Sequence, residues 1–356
     1  MGMGIATAPR MRTTQQQRTA LFVGAAAAGA LMAARAWRRR HAYDFAGKSV
    51  VITGGSRGLG LVMARALAGE GARLTLIARD PDALTRAADD IRGRQPFADV
   101  LTIAADVRQQ QDVERAITQA VERFGRIDVL INNAGIIQTG PVDHMTMGDY
   151  QDAMNTHFWG PLYATMAALP HMRERGEGRI VNISSISGRI SAPHLVPYSA
   201  SKFALVGLSD GLRAELARDN IIVTTVCPGL MRTGSPENAM FKGQHAKEYA
   251  WFAIADSLPL ASIDADRAGR QIVEACRRGD AELVVTVQAK LAILARTVAP
   301  ELFGDAMALM NRLLPDPTPR ASGDQARPGR DSESAWAPSV LTTLTQSAAQ
   351  ENNERP

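Results

Sequence analysis

Cysteine is scarce in this chain. Only Cys227 and Cys276 occur among 356 residues, too few for a disulfide framework and without a zinc-binding spacing. The six histidines are scattered, and none stands with a carboxylate in a metal-binding spacing such as H-E-x-x-H. We therefore expect reduced, unreactive cysteines, histidines that are solvated or satisfied by hydrogen bonds, and no metal site.

Acidic residues are absent from the first 43 residues, where seven arginines occur. The formal net charge of +4 becomes −3 when these arginines are left out. The rest of the chain is therefore not basic, which removes the main electrostatic argument for a nucleic-acid partner.

Long hydrophobic runs are also lacking, with one borderline exception. The stretch "TALFVGAAAAGALMAA" from Thr19 to Ala34 is uncharged and is followed by Arg35, Trp37 and three arginines. A membrane span needs ~20 residues, so the stretch suffices only if Arg35 snorkels and Trp37 lies at the interface. We predict a basic segment at residues 1–18 and a transmembrane anchor at residues 19–37.

The cellular location that we predict depends on this anchor. More positive charge follows the run than precedes it, which favours the C-terminal bulk on the cytoplasmic side. A cleaved signal peptide and an arginine-rich transit peptide are alternatives for the same residues. Without an anchor, the expected location is the soluble cytoplasm.

Short β-rich runs alternate with helical stretches from Lys48 to about Thr286. The predicted strands are "KSVVIT", "RLTLIA", "VLTIAA", "RIDVLI", "GRIVNIS", "IIVTTV" and "AELVVT". This alternation is typical of a parallel sheet with crossover helices on both faces. The sequence therefore predicts an α/β protein with a Rossmann-type, doubly wound sheet of about seven strands in a domain over residues 44–286.

Two different segments follow this domain. In residues 287–314 apolar side chains recur at helical spacing and are interrupted by Pro300, which predicts two short amphipathic helices. Such helices could lie on a membrane, close a pocket, or pack against the domain or a partner. Residues 315–356 are rich in Pro, Gly, Ser and charge, so we predict a mostly disordered tail, with one more helix in "SVLTTLTQSAA".

A glycine-rich stretch, "TGGSRGLG" from Thr53 to Gly60, joins the first predicted strand to a helical pattern. Glycines at such a turn let the backbone approach a pyrophosphate, which the N-terminus of the helix attracts. The glycine spacing departs from the plain G-x-G-x-x-G pattern, and a surface loop would account for the turn taken alone.

A tyrosine precedes a lysine by four residues in "VPYSASKFAL", which starts at Val196. On a helix this spacing places Tyr198 and Lys202 on one face. The unperturbed pKa of tyrosine is about 10, so a nearby cation is needed to stabilise the phenolate near neutral pH. The pair is a candidate for proton exchange, although a packed tyrosine and a solvated lysine would explain either residue singly.

Three motifs occur together and in order: "TGGSRGLG", "NNAG" at Asn132 to Gly135, and "YSASK" at Tyr198 to Lys202. In this combination the chain resembles the short-chain dehydrogenase/reductase family over about Lys48 to Thr286. The resemblance implies an oxidoreductase that interconverts a carbonyl and an alcohol by direct hydride transfer, without a metal. Tyr198 would exchange the proton of the substrate oxygen.

The resemblance also implies further catalytic residues. A serine thirteen residues before the tyrosine is Ser185, whose hydroxyl would bind the substrate oxygen, with Ser184 and Ser187 as alternatives. The family's helical asparagine matches Asn155 in "YQDAMNTHFWG", where it would hold a water next to Lys202. The catalytic set implied is Ser185, Tyr198, Lys202 and Asn155.

Cofactor preference can be read from charge at the end of the second strand. An NAD-binding protein usually has an acid there, whereas this chain has Ala78 and then Arg79. An arginine suits a 2′-phosphate, and Arg57 would be a second contact. Asp80 argues in the opposite direction, so NADP is predicted and NAD is the less favoured alternative.

The family resemblance implies individual cofactor contacts. Asp106 would meet the adenine, Asn133 and Gly135 would flank the ribose, Thr233 would face the nicotinamide amide, and Lys202 would bind the nicotinamide ribose. The predicted cofactor-binding set is Gly54, Ser56, Arg57, Gly58, Leu59, Gly60, Arg79, Asp106, Asn133, Gly135, Tyr198, Lys202 and Thr233.

The substrate is less defined by the sequence. In this family the segment after "PG" covers the substrate, and here Leu230 to Leu260 is rich in aromatic residues and methionine. These residues favour a lipophilic carbonyl compound at a membrane, although packing of the segment on the domain would require the same residues. The family commonly forms homo-oligomers. The alternative function is a catalytically silent NADP-binding sensor or scaffold on the same fold.

Overall fold

The computed structural model describes residues 43–258 and 262–355, together with positions 29, 32 and 33. The chain divides into two units, residues 1–43 and 44–356, and nearly all described residues belong to the second. The basic segment and anchor predicted for residues 1–18 and 19–37 lie outside the described residues, apart from three positions. Within the described part, no helix combines the length and the apolar character that crossing a bilayer requires.

A seven-stranded parallel sheet forms the centre of the second unit. Its strands are β1 (Ser49–Thr53), β2 (Arg73–Ala78), β3 (Val100–Ala104), β4 (Val129–Asn132), β6 (Gly178–Ile183), β7 (Ile221–Cys227) and β11 (Glu282–Val284). The strand order is β11, β7, β6, β4, β1, β2, β3, and every neighbouring pair is parallel. These are the seven predicted strands, so the predicted doubly wound Rossmann-type fold is confirmed.

Helices cover both faces of this sheet. They are α1 (Gly58–Gly69), α2 (Pro81–Arg94), α3 (Gln110–Phe124), α4 (Met147–Met154), α5 (Gly160–Arg175), α6 (Val196–Leu216) and α8 (Ala265–Arg278). α1 contacts both α2 and α8, whereas α3 packs against α5 and α4 packs against α6. A five-residue π-helical turn, Asn155–Trp159, joins α4 to α5.

The hydrophobic core follows directly from the sequence pattern. β1 is buried along its whole length, as expected for a central parallel strand covered on both faces. In α3 the buried residues recur at helical spacing, namely Val113, Ala116, Ile117, Ala120 and Phe124. α3 ends at Gly125, which has a left-handed backbone that glycine adopts without steric cost.

The carboxyl ends of three central strands carry two of the three sequence motifs and the candidate serines. The glycine turn follows β1, "NNAG" includes the end of β4, and the serine cluster follows β6. β1 and β4 are neighbours at the point where the strand order reverses. In open parallel sheets the crevice at this point is where ligands bind.

Smaller elements lie beyond the central sheet. They are β5 (Gln138–Thr139), β8 (Leu230–Arg232), β9 (Met240–Phe241), α7 (His245–Ser257), β10 (Ser262–Asp264) and β12 (Arg327–Pro328). β8 pairs with β10, and β9 pairs with both β5 and β12. A strand of the C-terminal region therefore joins the segment that the sequence assigns to the substrate cover.

The C-terminal extension contains α9 (Val287–Val298) and α10 (Pro300–Asn311), which are separated at Pro300 as the sequence predicts. Beyond them the described chain differs from the expectation of a mostly disordered tail. It forms α11 (Arg320–Gly323), β12 and α12 (Thr343–Glu351). The composition of this region suggested disorder because its few apolar groups cannot form a core alone, but here the region packs on the domain.

Candidate active site

Close backbone contacts make the glycine turn after β1 specific for glycine. A Cβ on Gly60 would lie 2.0 Å from the carbonyl oxygen of Gly54. A Cβ on Gly54 would lie 2.8 Å from the Cα of Ala134, and Gly54 has a φ of +66°. Both positions therefore exclude any side chain, which explains the glycines that the sequence places there.

The "NNAG" motif holds this turn in place. The side-chain amide of Asn133 donates hydrogen bonds to the carbonyl oxygens of Thr53 and Gly54, at 3.2 and 3.0 Å. In return, the Thr53 hydroxyl oxygen accepts from the backbone N–H groups of Asn133 and Ala134, at 3.0 and 3.2 Å. Asn133, predicted to flank a ribose, thus fixes the turn against β4.

The turn has the properties of an anion site. α1 begins at Gly58, whose backbone N–H has no partner within α1 and donates instead to the carbonyl oxygen of Asn352 at 2.8 Å. The anion that the structure places there is the carboxylate of Glu354, with Oε2 at 3.4 Å from Nε of Arg57. A negative group at this position is stabilised by the helix N-terminus and the guanidinium. The turn therefore fits the pyrophosphate of a dinucleotide.

Two residues of opposite charge, Arg79 and Asp80, follow β2. Arg79 is exposed, whereas the carboxylate of Asp80 caps α2 by accepting from the backbone N–H groups of Asp82 and Ala83, at 2.9 and 3.2 Å. Asp80 is thereby committed to the helix start. The acid that argued for NAD in the sequence thus has a structural partner.

Three other predicted cofactor residues also have partners within the protein. Asp106 forms a salt bridge with Arg108 at 2.7 Å. Although burial acts to raise the pKa of Asp106, the hydrogen bonds and charge of Arg108 lower it overall. Thr233 is buried, and its hydroxyl accepts from the backbone N–H of Ser235 at 3.3 Å. Ser56 is buried within the turn.

α6 presents the tyrosine and lysine on one side, as the four-residue spacing predicts. Nζ of Lys202 lies 5.7 Å from the centroid of the Tyr198 ring. The lysine is buried, and its ammonium donates to the carbonyl oxygen of Ile183 at 2.9 Å. This bond anchors Lys202 to the end of β6 and orients it within the site.

The structure separates the three candidate serines. Ser185 is the serine whose hydroxyl acts on the Tyr198 phenol, in the direction that lowers its pKa. The Ser184 hydroxyl instead donates to the backbone carbonyl of Lys202 at 3.0 Å. The Ser187 backbone N–H donates to the Ser185 hydroxyl oxygen at 3.0 Å, which helps to orient it. Of the three hydroxyls, the one on Ser185 is therefore placed beside the tyrosine.

Burial determines the protonation of this pair. It raises the pKa of the Tyr198 phenol above its usual value, while the bond from Ser185 acts in the opposite direction. It lowers the pKa of Lys202 to about 7. The sequence argument expected the lysine to make the phenol more acidic. In the structure the net shift is in the other direction, because loss of water disfavours the charged form of both groups.

Asn155 is not brought to the tyrosine. Its side-chain oxygen accepts from the amide of Gln151 at 2.8 Å, on the surface of α4. The residue beside Tyr198 is His157, two positions later in the π-helical turn, with a centroid distance of 5.3 Å and an interplanar angle of 89°. The π-helical turn changes which side chains face α6, and no local sequence signal marks it.

His157 bridges the end of β4 to α6. Its Nε2 accepts from the backbone N–H of Ile136 at 3.1 Å, so Nδ1 carries the proton and donates to the Ser201 hydroxyl at 2.8 Å. Ser201 in turn donates to the carbonyl oxygen of Tyr198 at 2.8 Å. Burial, followed by the charge of Lys202, holds the pKa of His157 well below its usual value. A neutral imidazole is therefore built into the site.

The apolar residues of the predicted substrate cover are largely used for packing. Phe241, Tyr249 and Phe252 are buried in one cluster with ring centroids 5.5 and 5.9 Å apart. Met231 and Met240 remain partly exposed. The buried aromatic residues therefore stabilise this segment, whereas Met231 and Met240 keep part of their surface free for a ligand.

Comparisons with known proteins agree with this geometry. The short chain dehydrogenase family profile matches residues 48–241. The chain is 33% identical over 266 residues to Dehydrogenase/reductase SDR family member 7B of Mus musculus, covering 73% of this chain and 80% of the mouse protein. It is 40% identical over 190 residues to 11-beta-hydroxysteroid dehydrogenase-like 4A of Arabidopsis thaliana, covering 53% of this chain and 62% of the plant protein.

Two solved structures show the same fold. A short-chain dehydrogenase from Streptomyces avermitilis is 30% identical, with a TM-score of 0.63 over 74% of this chain and 98% of its own. L-Sorbose reductase from Gluconobacter frateurii, solved with NADPH and L-sorbose, is 27% identical, with a TM-score of 0.60 over 68% of this chain and 97% of its own. The chain belongs to the short-chain dehydrogenase/reductase family, whose members are oxidoreductases acting on alcohols and carbonyl compounds.

Proposed function

We propose that the protein is an NADPH-dependent reductase of carbonyl compounds, which also catalyses the reverse oxidation of the alcohol. The observation that carries this proposal is the placement of Tyr198 and the buried Lys202 on one side of α6, with Nζ 5.7 Å from the ring centroid and Ser185 acting to lower the pKa of the phenol. Ser185 and Tyr198 would both bind the substrate oxygen. When bound, the nicotinamide supplies hydride to the substrate carbon in reduction and takes it up in oxidation.

Tyr198 holds the proton that this reaction moves. In reduction the phenol gives its proton to the carbonyl oxygen as the oxygen gains negative charge, so the products are an alcohol and oxidised cofactor. The raised pKa of Tyr198 keeps the phenol protonated at neutral pH, which favours its role as the acid. Lys202 would then stabilise the phenolate left behind, and would return a proton to it.

The proposal is tested by following NADPH absorbance with purified protein and a panel of ketones and oxoacyl thioesters. Oxidation of NADPH that depends on the carbonyl compound is expected. Tight binding of NADPH without turnover on any carbonyl would favour the alternative, a nucleotide-binding sensor or scaffold. Identification of ligands that copurify with the protein would narrow the substrate class.

NADP is the proposed cofactor. Arg79 is exposed at the end of β2, where it can reach a 2′-phosphate, while Asp80 is engaged in capping α2. The proposed holding residues are the backbone of Ser56 to Gly60, with Arg57 and Arg79 for the phosphates. L-Sorbose reductase, one of the structural neighbours, was solved with NADPH.

A lipophilic carbonyl compound is the proposed substrate class. Met231 and Met240 are partly exposed in the cover segment and offer an adaptable apolar surface. One relative carries the name 11-beta-hydroxysteroid dehydrogenase-like 4A, which agrees with a substrate of this kind.

We also propose that the protein is attached to a membrane with the enzyme domain in the cytoplasm. Besides the apolar run at Thr19 to Ala34, α9 and α10 and the residues beside them expose a set of aliphatic side chains by 57% to 80% of their surface. These are Val287, Leu291, Leu294, Val298, Leu302, Leu309 and Leu313. Exposed apolar surface of this extent is typical of an interaction site.

Membrane attachment predicts a fractionation result. The full-length chain should sediment with membranes and require detergent for release. A chain that begins at Asp44 should be released by high salt, or be soluble, because it lacks the anchor. Full-length protein with Leu294→Glu is the control for the contribution of α9. Equal solubility of the full-length and shortened chains would contradict the anchor.

His157 is proposed to position Tyr198. Its two ring nitrogens are both engaged, on Ile136 and Ser201, so the ring cannot pass a proton without losing a bond. The ring can, however, hold α6 against the end of β4, because it packs at a right angle to the Tyr198 ring. The expected role is therefore geometric.

Replacing His157 by phenylalanine keeps a ring but removes both hydrogen bonds and leaves the Ile136 N–H without its acceptor. We expect kcat to fall about tenfold and KM for NADPH to change less than twofold. His157→Gln, which can bond both partners, should restore part of kcat. The measurements are steady-state kinetics at several pH values and the melting temperature.

The matched control for this variant is His144→Phe. His144 is also buried and bonded through both nitrogens, to Asp324 at 2.9 Å and to the Thr318 N–H at 3.0 Å. This variant should lower the melting temperature and leave kcat unchanged. If both variants destabilise the protein equally and neither lowers kcat, His157 has no positioning role.

A further inference from the structure

After β12 the chain ends beside the glycine turn. α12 and the four residues that follow it, residues 343–355, are termed the C-terminal segment. The carbonyl oxygen of Asn352 accepts the backbone N–H of Gly58 at 2.8 Å, at the first position of α1. Ala349 packs on Gly234, where an added Cβ would lie only 2.3 Å from the Ala349 Cα. The segment therefore contacts both the turn and the loop after β8.

Glu354 places a carboxylate at the N-terminus of α1. The residue is buried, and its Oε1 lies 2.6 Å from where a Cβ on Gly58 would be. Its other oxygen, Oε2, accepts from the amide of Asn238 at 2.7 Å and lies 3.4 Å from Nε of Arg57. Burial raises the pKa of Glu354, whereas the charge of Arg57 acts to lower it. A buried carboxylate on a helix N-terminus and an arginine has the chemistry of a bound phosphate.

Asn353 extends the contacts of the C-terminal segment to the start of α2. The Asn353 amide donates to the carbonyl oxygens of Ser56 and Ala83, at 2.8 and 3.0 Å, and its own oxygen accepts from Arg86 at 2.9 Å. Asn353 has a φ of +57°, a conformation that asparagine tolerates better than most residues. The segment thus spans the gap between the first turn and α2.

Two further sets of charged contacts hold the last residues of the segment. Arg65 donates to the Asn352 side chain at 3.0 Å and to the Glu351 carbonyl oxygen at 2.7 Å. Arg355 forms a salt bridge with the buried Glu237 at 2.6 Å. Polar contacts dominate, so the segment can leave into water at a smaller cost than an apolar one.

We propose that the C-terminal segment is an intramolecular competitor of the dinucleotide, with the Glu354 carboxylate bound where a cofactor phosphate binds. This inference rests on the proposed function. The Gly58 N–H and the Arg57 guanidinium cannot serve the segment and a pyrophosphate together, so binding of cofactor requires the segment to leave. The apparent dissociation constant for NADPH is then the intrinsic constant divided by the fraction of molecules whose segment has left the turn.

A charge-neutral variant tests the competition. Glu354→Gln in the full-length chain removes the negative charge from the turn, and we expect the dissociation constant for NADPH to fall about tenfold, measured by nucleotide fluorescence. Glu351→Gln is the matched control, since it makes the same charge change on an exposed residue of the same segment. An equal effect of the two variants, or no effect of Glu354→Gln, would overturn the proposal.

Hydrogen exchange gives a second readout that does not depend on catalysis. Addition of NADPH or of inorganic pyrophosphate should speed the exchange of amides in residues 343–355 of the wild-type protein and slow that of the turn after β1. Faster exchange of the segment, with no turnover on any carbonyl compound, would support the competition and contradict the proposed reductase function. Normal turnover, with unchanged or slower exchange of the segment, would support the reductase function and overturn the proposed competition.

Discussion

Replacing Tyr198 by phenylalanine is expected to lower kcat for carbonyl reduction by about a thousandfold, the largest effect among our predictions. The change removes a hydroxyl whose pKa Ser185 acts to lower, on a ring whose centroid lies 5.7 Å from Nζ of Lys202. The ring remains, so its contact with His157 should be kept. Steady-state kinetics with NADPH and a reactive ketone measure the effect.

The binding of NADPH should be nearly unchanged in this variant, because the proposed role of the phenol is on the substrate oxygen. Tyr163→Phe is the control, since Tyr163 is partly buried on α5, stacked on Trp159, and has no role in the proposed site. Its kcat should match that of the wild type. Retention of more than a tenth of kcat in Tyr198→Phe would contradict the assignment of Tyr198 as the acid.

The pH dependence provides a further check on the same residue. Oxidation of the alcohol needs Tyr198 without its proton, and burial raises the pKa of this phenol. The rate of oxidation should therefore increase with pH through the alkaline range. In the proposed mechanism reduction needs the protonated phenol and the charged form of Lys202, whose pKa is about 7, so its rate should fall as the pH rises through neutrality.

Replacing Arg79 by alanine is expected to weaken NADPH binding by roughly 10- to 100-fold and to leave NADH binding unchanged. A charge-assisted hydrogen bond to a 2′-phosphate is worth about 1.5–3 kcal/mol, and NADH has no phosphate at that position. The measurement is the ratio of kcat/KM for the two cofactors. This ratio isolates the 2′-phosphate from the rest of the dinucleotide.

Arg94→Ala is the control for this change. Arg94 is also exposed, at the far end of α2, where it pairs with Asp90 at 3.1 Å. Losing it should alter the net charge equally without altering the cofactor ratio. A loss of affinity for NADPH and NADH in the same proportion would show that Arg79 does not distinguish them, and NAD would become the preferred assignment.

Local patterns in the sequence were sufficient for the fold and for the placement of Tyr198 and Lys202 on one side of α6. The seven strands are recognisable because parallel strands covered on both faces need nearly continuous apolar runs. The glycines of the turn are recognisable because Gly54 and Gly60 have no room for a Cβ. The distance of four residues between Tyr198 and Lys202 fixes their common face through the helical repeat. The helical repeat and the contact between Gly60 and Gly54 act between residues that are close in the chain, whereas the contact between Gly54 and Ala134 does not.

Contacts between distant parts of the chain were decided only by the tertiary structure. The choice of Ser185 over Ser184 depends on how α6 packs on the end of β6, and the placement of His157 in the site depends on the π-helical turn. The composition of residues 315–356 predicts disorder when it is considered alone. The bond between Gly58 and Asn352 joins positions almost 300 residues apart. A partner that distant leaves no periodic signal in either segment, because neither needs the other to form its own local structure.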